Sequence, residues 1–177
     1  MAGFKDILPI RLFFQGFYDL LCNMRKIFWN VSGWTTAAVI LIGLDQLSKY
    51  FAQAYLQTPY RLISDFFQLE YSQNTGIAFG ISIPQIILII GSPILIGLII
   101  YLVFKELDLR KTLSILSLIL IISGALGNLM DRLIHGFVID FIAIWRWPNF
   151  NLADIYITLG ILFIVVFYGT IKKVKKT

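Results

Sequence analysis

The chain has 177 residues, of which 58% are hydrophobic and 14% charged, with a formal net charge of +5. A soluble domain carries about 45–50% apolar and about 25% charged residues, so this composition excludes an ordinary soluble fold and reads as one compact integral membrane bundle. A single cysteine, Cys22, excludes an intramolecular disulfide; one histidine, His135, argues against a His-rich metal site, and neither metal nor cofactor is expected.

Residues 9–31 are apolar but interrupted by Arg11, Asp19, Arg25 and Lys26. At about 100° per residue Arg11, Gln15, Asp19, Asn23, Lys26 and Asn30 fall on one face, opposite Phe13, Phe17, Leu20, Met24, Ile27 and Phe28. The pattern predicts an interfacial amphipathic helix within an N-terminal extension, 1–33, with a fifth span as the alternative. No small-residue cleavage site follows, so a removable signal peptide is a poor reading.

Residues 34–177 form the expected membrane domain. Hydropathy places four spans at roughly Trp34–Leu56, Pro84–Phe104, Thr112–Met130 and Asp154–Ile171, each near the ~20 residues that cross about 30 Å of hydrocarbon. Lys5, Arg11, Arg25 and Lys26 precede the first span; Lys105, Arg110 and Lys111 lie between the second and third; Lys172, Lys173, Lys175 and Lys176 end the chain. The positive-inside rule therefore puts both termini in the cytoplasm and the connections 57–83 and 131–153 outside. The basic charge is a topology signal and does not call for nucleic acid.

Within the first span, DQLSK sets Asp45 and Lys49 four residues apart on one helix face. The pair either neutralises itself within the bundle or supports a polar site further out, with Lys49 snorkelling outward. The segment FQLEYSQNTGIAFG predicts a short strand or hairpin against the membrane surface, ending in a turn at Asn74-Thr75-Gly76. In the third span Gly124, Ala125 and Gly127 allow close helix approach. Gly124, Asn128, Asp131, Arg132 and His135 share a face. Asp131 and Arg132 read as a solvated charge pair at the outer interface and His135 as a helix-end residue, whereas an amide at Asn128, one turn inside the membrane, wants partners.

Asn151 and Asp154 can be read as a helix cap. Asp140, among aromatic and β-branched residues, cannot, and a carboxylate there must be paired, hydrated or protonated. The thirteen residues between Asp140 and Asp154 suffice for a return loop that brings the two face to face. Two such carboxylates share one proton, activate a water between them and hydrolyse an amide. From the residues alone an aspartyl membrane hydrolase, a small transporter and a structural bundle stay open. The crowding of polar groups at one end of the spans favours an edge-on active site over a conduit.

DQLSK (45–49), NTGIAFG (74–80), GALGNLMDRLIHGFVIDF (124–141) and FNLAD (150–154) together resemble the lipoprotein signal peptidases, the bacterial signal peptidase II family of aspartyl membrane proteases. The resemblance, which spans about residues 40–171, implies an all-α membrane protein of four transmembrane helices with a small extracytoplasmic β-cradle. It implies Asp140 and Asp154 as the catalytic pair, Asn74, Gly76, Asn128, Arg132 and Asn151 as substrate-cleft residues, and Asp45 and Lys49 as a supporting polar pair. It implies a monomeric enzyme of the bacterial cytoplasmic (inner) membrane, surrounded by membrane lipids. Its active site would face outward and cleave prolipoproteins before a diacylglyceryl-modified cysteine, and globomycin-type cyclic peptides would inhibit it. Ser123, where the family usually has glycine, and Ile77, where a small residue is usual, depart from the pattern. Trp145, Arg146 and Trp147 are expected at the membrane surface, closing over substrate.

Overall fold

The computed structural model describes residues 32–64, 66–76 and 84–174. The amphipathic helix expected within 1–33 falls almost wholly outside the described residues, as does Ile77. A compact unit, Ala38–Thr177, carries the sheet, the last three helices and the candidate site.

Residues 32–55 are helical (α1). There follow β1 (Tyr60–Ile63), β2 (Phe67–Asn74), α2 (Gln85–Glu106), α3 (Thr112–Ile134), β3 (Val138–Ile144) and α4 (Leu152–Ile171). Helices α2, α3 and α4, of 22, 23 and 20 residues, are long and apolar enough to cross a membrane. At 1.5 Å rise per residue they measure about 30–35 Å, and they coincide with the second, third and fourth expected spans. The expected first span falls on α1.

Helix α3 is the centre of the bundle. Its small residues explain why: a Cβ on Gly124 would run into the Ala153 carbonyl oxygen, and one on Gly160 of α4 would lie 2.6 Å from Ile121 Cγ1. Close approach at these glycines brings α4 down along α3, as small residues do in membrane bundles. At the opposite end of the helices from the sheet, Val103, Leu107 and Ile171 form a small core, and Asp108 N–H donates to Ile171 O (2.8 Å) while Lys173 N–H donates to Glu106 O (2.8 Å).

The strand expected from residue 67 is present as β2, which ends at Asn74, and its hairpin partner is β1 on the preceding side. The structure adds a third strand to it, in the order β1-β2-β3, all antiparallel. This corrects the return loop expected after Asp140: Val138–Ile144 is a run of β-branched and aromatic residues, which suits a half-buried pleat. Alternation along β3 sends Ile139 and Phe141 into a core with Ala52, Leu69 and Leu152 and leaves Asp140 on the other face. Ser72 pairs with Asp140 and Asn74 with Val138, so Asn74 lies diagonally across from Asp140 on the same face.

Candidate active site

The start of α4 organises the site. Asn151 Oδ1 accepts from Asp154 N–H (3.1 Å) and Asp154 Oδ2 accepts from Asn151 N–H (3.2 Å), a complete capping box. The cap uses only one end of each side chain. Asn151 Nδ2, its orientation fixed by the cap, donates to Asp140 Oδ1 at 2.7 Å. Asp154 Oδ1 accepts from Asn128 Nδ2 at 2.8 Å. Asn151 thus touches both carboxylates, Asp140 through its side chain and Asp154 through its backbone.

Asp140 Oδ2 accepts from Asn74 Nδ2 (2.9 Å), and Gly76 N–H donates to Asn74 Oδ1 (3.1 Å), which settles which end of that amide faces the acid. Asn74 is therefore both a turn residue and a carboxylate partner. Asp140 is 1% exposed. Burial pushes its carboxyl up from the ordinary 3.8 to about 7; the Asn74 and Asn151 donors oppose the rise, and the charge of Asp154 adds to it.

Beneath the two acids lies a buried ionic cluster. Lys49 Nζ is 2.8 Å from Asp45 Oδ2 and 2.9 Å from Asp131 Oδ2, and donates to Asn128 Oδ1 at 3.0 Å. Lys49, Asp45 and Asp131 are 2%, 0% and 1% exposed, so Lys49 does not snorkel outward. The carboxylate oxygens also tie the cluster to backbone and side-chain donors. Asp45 Oδ1 accepts Ala153 N–H (2.9 Å), Asp131 Oδ2 accepts Ile139 N–H (3.1 Å), and Gln46 Nε2 donates to Asp131 Oδ1 (2.9 Å).

Asp131 is the residue that sequence reasoning placed wrongly. It is no solvated partner of Arg132: adjacent helical residues point apart, and Asp131 turns inward to Lys49 while Arg132 turns to the cavity. The available signal was that one buried ammonium against a single acid in hydrocarbon leaves its other protons unsatisfied. Gln46 was missed for the same reason. His135 is a helix-end residue as expected, capping α3 and stacked on Phe137.

A cavity of about 330 Å³ opens beside Asp154 and Asn128. Asn74, Gly76, Asn128, Arg132, Asp154 and the run Trp147 to Phe150 are among the residues that line it. Arg132 Nη1 reaches Asn128 O at 3.4 Å, and its Nε is buried without a partner among the described residues. Trp147 is 63% and Trp145 70% exposed, with Arg146 stacked 5.3 Å over the Trp145 ring. Ser123, in place of the expected glycine, is buried with no hydrogen-bond partner for its hydroxyl among the described residues.

The family model for signal peptidase (SPase) II matches residues 37–169. The lipoprotein signal peptidase of Moorella thermoacetica is 40% identical over 127 residues, covering 71% of this chain and 85% of the relative. That of Thermodesulfovibrio yellowstonii is 39% identical over 148 residues, covering 78% and 95%. A solved bacterial membrane enzyme, determined by the in meso method at 2.3 Å resolution, superposes with a TM-score of 0.69 at 26% identity, over 82% of this chain and 94% of that one.

Proposed function

Because the chain belongs to the signal peptidase II family, peptidases that remove signal peptides from prolipoproteins, we propose that it is an aspartyl endopeptidase with Asp140 and Asp154 as its catalytic pair. The observation that carries this reading is the bridge through Asn151, which joins Asp140 to Asp154, a residue that lines the cavity. The Asp140 carboxyl near 7 suits a pair that holds a single proton at neutral pH.

The substrate is a prolipoprotein whose cysteine carries a diacylglyceryl thioether, and the bond cleaved is the one before that cysteine. A water between the acids gives a proton to the ionised carboxylate, and its oxygen bonds to the scissile carbonyl carbon. The protonated carboxyl gives its proton to the carbonyl oxygen, forming a gem-diol. As the C–N bond breaks, the leaving nitrogen takes the proton drawn from water, and the diol returns a proton to the other acid. The products are a signal peptide with a new carboxyl terminus and a lipidated cysteine with a free amine. No metal or cofactor is invoked.

Asn74, Asn128 and Asn151 spend their amide donors on the two acids and hold them in place. Gly76 fixes Asn74, and Arg132 keeps donors for the peptide backbone. Asp45 and Lys49 support Asn128 from below. Lys105, Arg110, Lys111, Lys172 and Lys173 gather where α2 ends, α3 begins and α4 ends, opposite the site. That charge supports a cytoplasmic inner end, α1 as the first of four spans, both termini inside and an outward-facing site. The protein would then act as a monomer in the bacterial cytoplasmic membrane, with residues 1–33 as a cytoplasmic extension to the peptidase domain of 34–177. Globomycin-type peptides would compete for the cavity.

Mass analysis of the products tests the specificity. Purified protein incubated with a diacylglyceryl-modified prolipoprotein should release a signal peptide ending immediately before the cysteine. Equal cleavage of the unmodified precursor, or cleavage elsewhere, would contradict it.

A further inference from the structure

Between Leu69, paired with Ile142, and Ser72, paired with Asp140, two residues of β2 stand against Phe141 alone. This is a β-bulge, the kind of irregularity that re-aims a side chain beside a site. The backbone departs from the ladder here. Tyr71 N–H turns away to Leu56 O (2.9 Å), and Phe141 N–H joins that of Ile142 on Phe150 O, at 3.1 and 2.9 Å. The other bulge residue, Glu70, takes up Asn149, whose Nδ2 donates to Glu70 Oε1 at 2.8 Å. Both residues are half-buried, and a hydrogen bond to a carboxylate is stronger than one between neutral groups.

The segment Trp147–Phe150 lines the site cavity. Its Trp147 and Phe150 also line a second cavity of about 460 Å³, with Phe66, Ile144, Trp145 and Arg146. The segment is therefore a partition between two open spaces, and hydrogen bonds must hold what packing does not. It follows Trp145, whose φ of 45° is strained for a residue other than glycine and persists only where its neighbours over-determine it. Trp147 N–H donates to Ile144 O (2.8 Å) and Phe150 N–H to Ile142 O (3.1 Å), which secures the two ends. Pro148 has no N–H to give. The middle is tied by the Asn149 side chain to Glu70.

We propose that Glu70 is a positioning residue for the substrate cleft: acting through Asn149, it holds the segment Trp147–Phe150 as a fixed wall of the cavity that Asp154 lines, and so sets how tightly the substrate chain is bound. The inference rests on the peptidase reading above. Glu70 is not among the described residues that line the cavity, so it acts on the wall and not on substrate. Asn151, the next residue after the wall, has its own anchors in the capping box and in its bonds to Asp140 and Asn128. The tie therefore governs binding and leaves the two acids where they are.

The test measures Tm, and kcat and KM on a diacylglyceryl-modified prolipoprotein. The proteins are the unmodified chain, Glu70→Ala, Glu70→Gln, Asn149→Ala and the double variant Glu70→Ala/Asn149→Ala. Loss of a hydrogen bond to a charged group is worth about tenfold in affinity, so each single alanine variant should show that rise in KM with kcat kept. Because the two residues act through one contact, the double variant should be no worse than either single one. Glu70→Gln keeps an acceptor for Asn149, and its KM should lie nearer to that of the unmodified protein than to that of Glu70→Ala. Effects that multiply in the double variant overturn the proposal, as does a normal KM in Glu70→Ala, whatever its Tm. A Glu70→Gln enzyme as impaired as Glu70→Ala also overturns it, because the charge and not the tie would then matter. If Glu70→Ala does not fold, Asn149→Ala decides: a raised KM beside a near-normal Glu70→Gln supports the tie, and a normal KM overturns it. Failure of the unmodified protein to cleave any lipidated precursor would remove the peptidase reading, whereas cleavage unaffected by the variants would remove this inference alone.

Discussion

Lys49 Nζ stands 3.0 Å from Asn128 Oδ1, and that contact decides which end of the Asn128 amide faces Asp154. An ammonium only donates, so the amide oxygen turns to Lys49 and the NH₂ to the carboxylate. Lys49→Met should cost about 3–5 kcal/mol, because it leaves Asp45 and Asp131 buried without their counter-charge. Thermal unfolding in detergent would register this as a large drop in Tm. A near-normal Tm would mean the cluster contributes little to the fold.

The proton on Asp140 makes stability depend on pH with a definite sign. Its carboxyl sits near 7 in the folded protein and about 4 unfolded, so between those values the native state binds the extra proton. Stability from this group is therefore greatest below pH 4 and is lost as pH rises through 7. Tm measured from pH 4 to 8 should show a fall that Asp140→Asn flattens; an identical slope in that variant would refute the assignment.

Two glycines should respond in opposite ways. Gly124→Ala forces a methyl against the Ala153 carbonyl, and overpacking of that kind costs about 1–3 kcal/mol. Gly91→Ala enters open space and should stabilise by about 0.5–1 kcal/mol through helix propensity. Paired Tm measurements check both signs.

Ser123 carries a buried hydroxyl without a partner among the described residues. Ser123→Ala removes that unsatisfied group and should stabilise by about 1 kcal/mol, read as a higher Tm with unchanged cleavage. A lower Tm would show that the hydroxyl has an acceptor.

The spans of α2, α3 and α4 were legible because hydropathy over ~20 residues is set by the bilayer and little else. The polar positions were legible too, since each amide or acid near hydrocarbon demands a partner. Which partner was not. Asp131 sits beside Arg132 in sequence but reaches Lys49, 82 positions away, and only the packing of α1 on α3 decides that. Cap and site do not exclude each other at Asn151 and Asp154, because each side chain has two ends: one closes the cap and the other meets Asp140 or Asn128. Strand β3 was hidden by its setting: pairing to β2, distant in the chain, turns an apolar connection into a strand.

The most direct test compares cleavage of a diacylglyceryl-modified prolipoprotein by the unmodified protein, Asp140→Asn and Asp154→Asn, each purified in detergent and matched for Tm. The account predicts that both variants stay folded and lose about 10²–10⁴-fold or more in rate, the range for a positioned acid or base. A folded variant of either aspartate that still cleaves at near-normal rate would contradict it and leave that residue a cap or a buried carboxyl only.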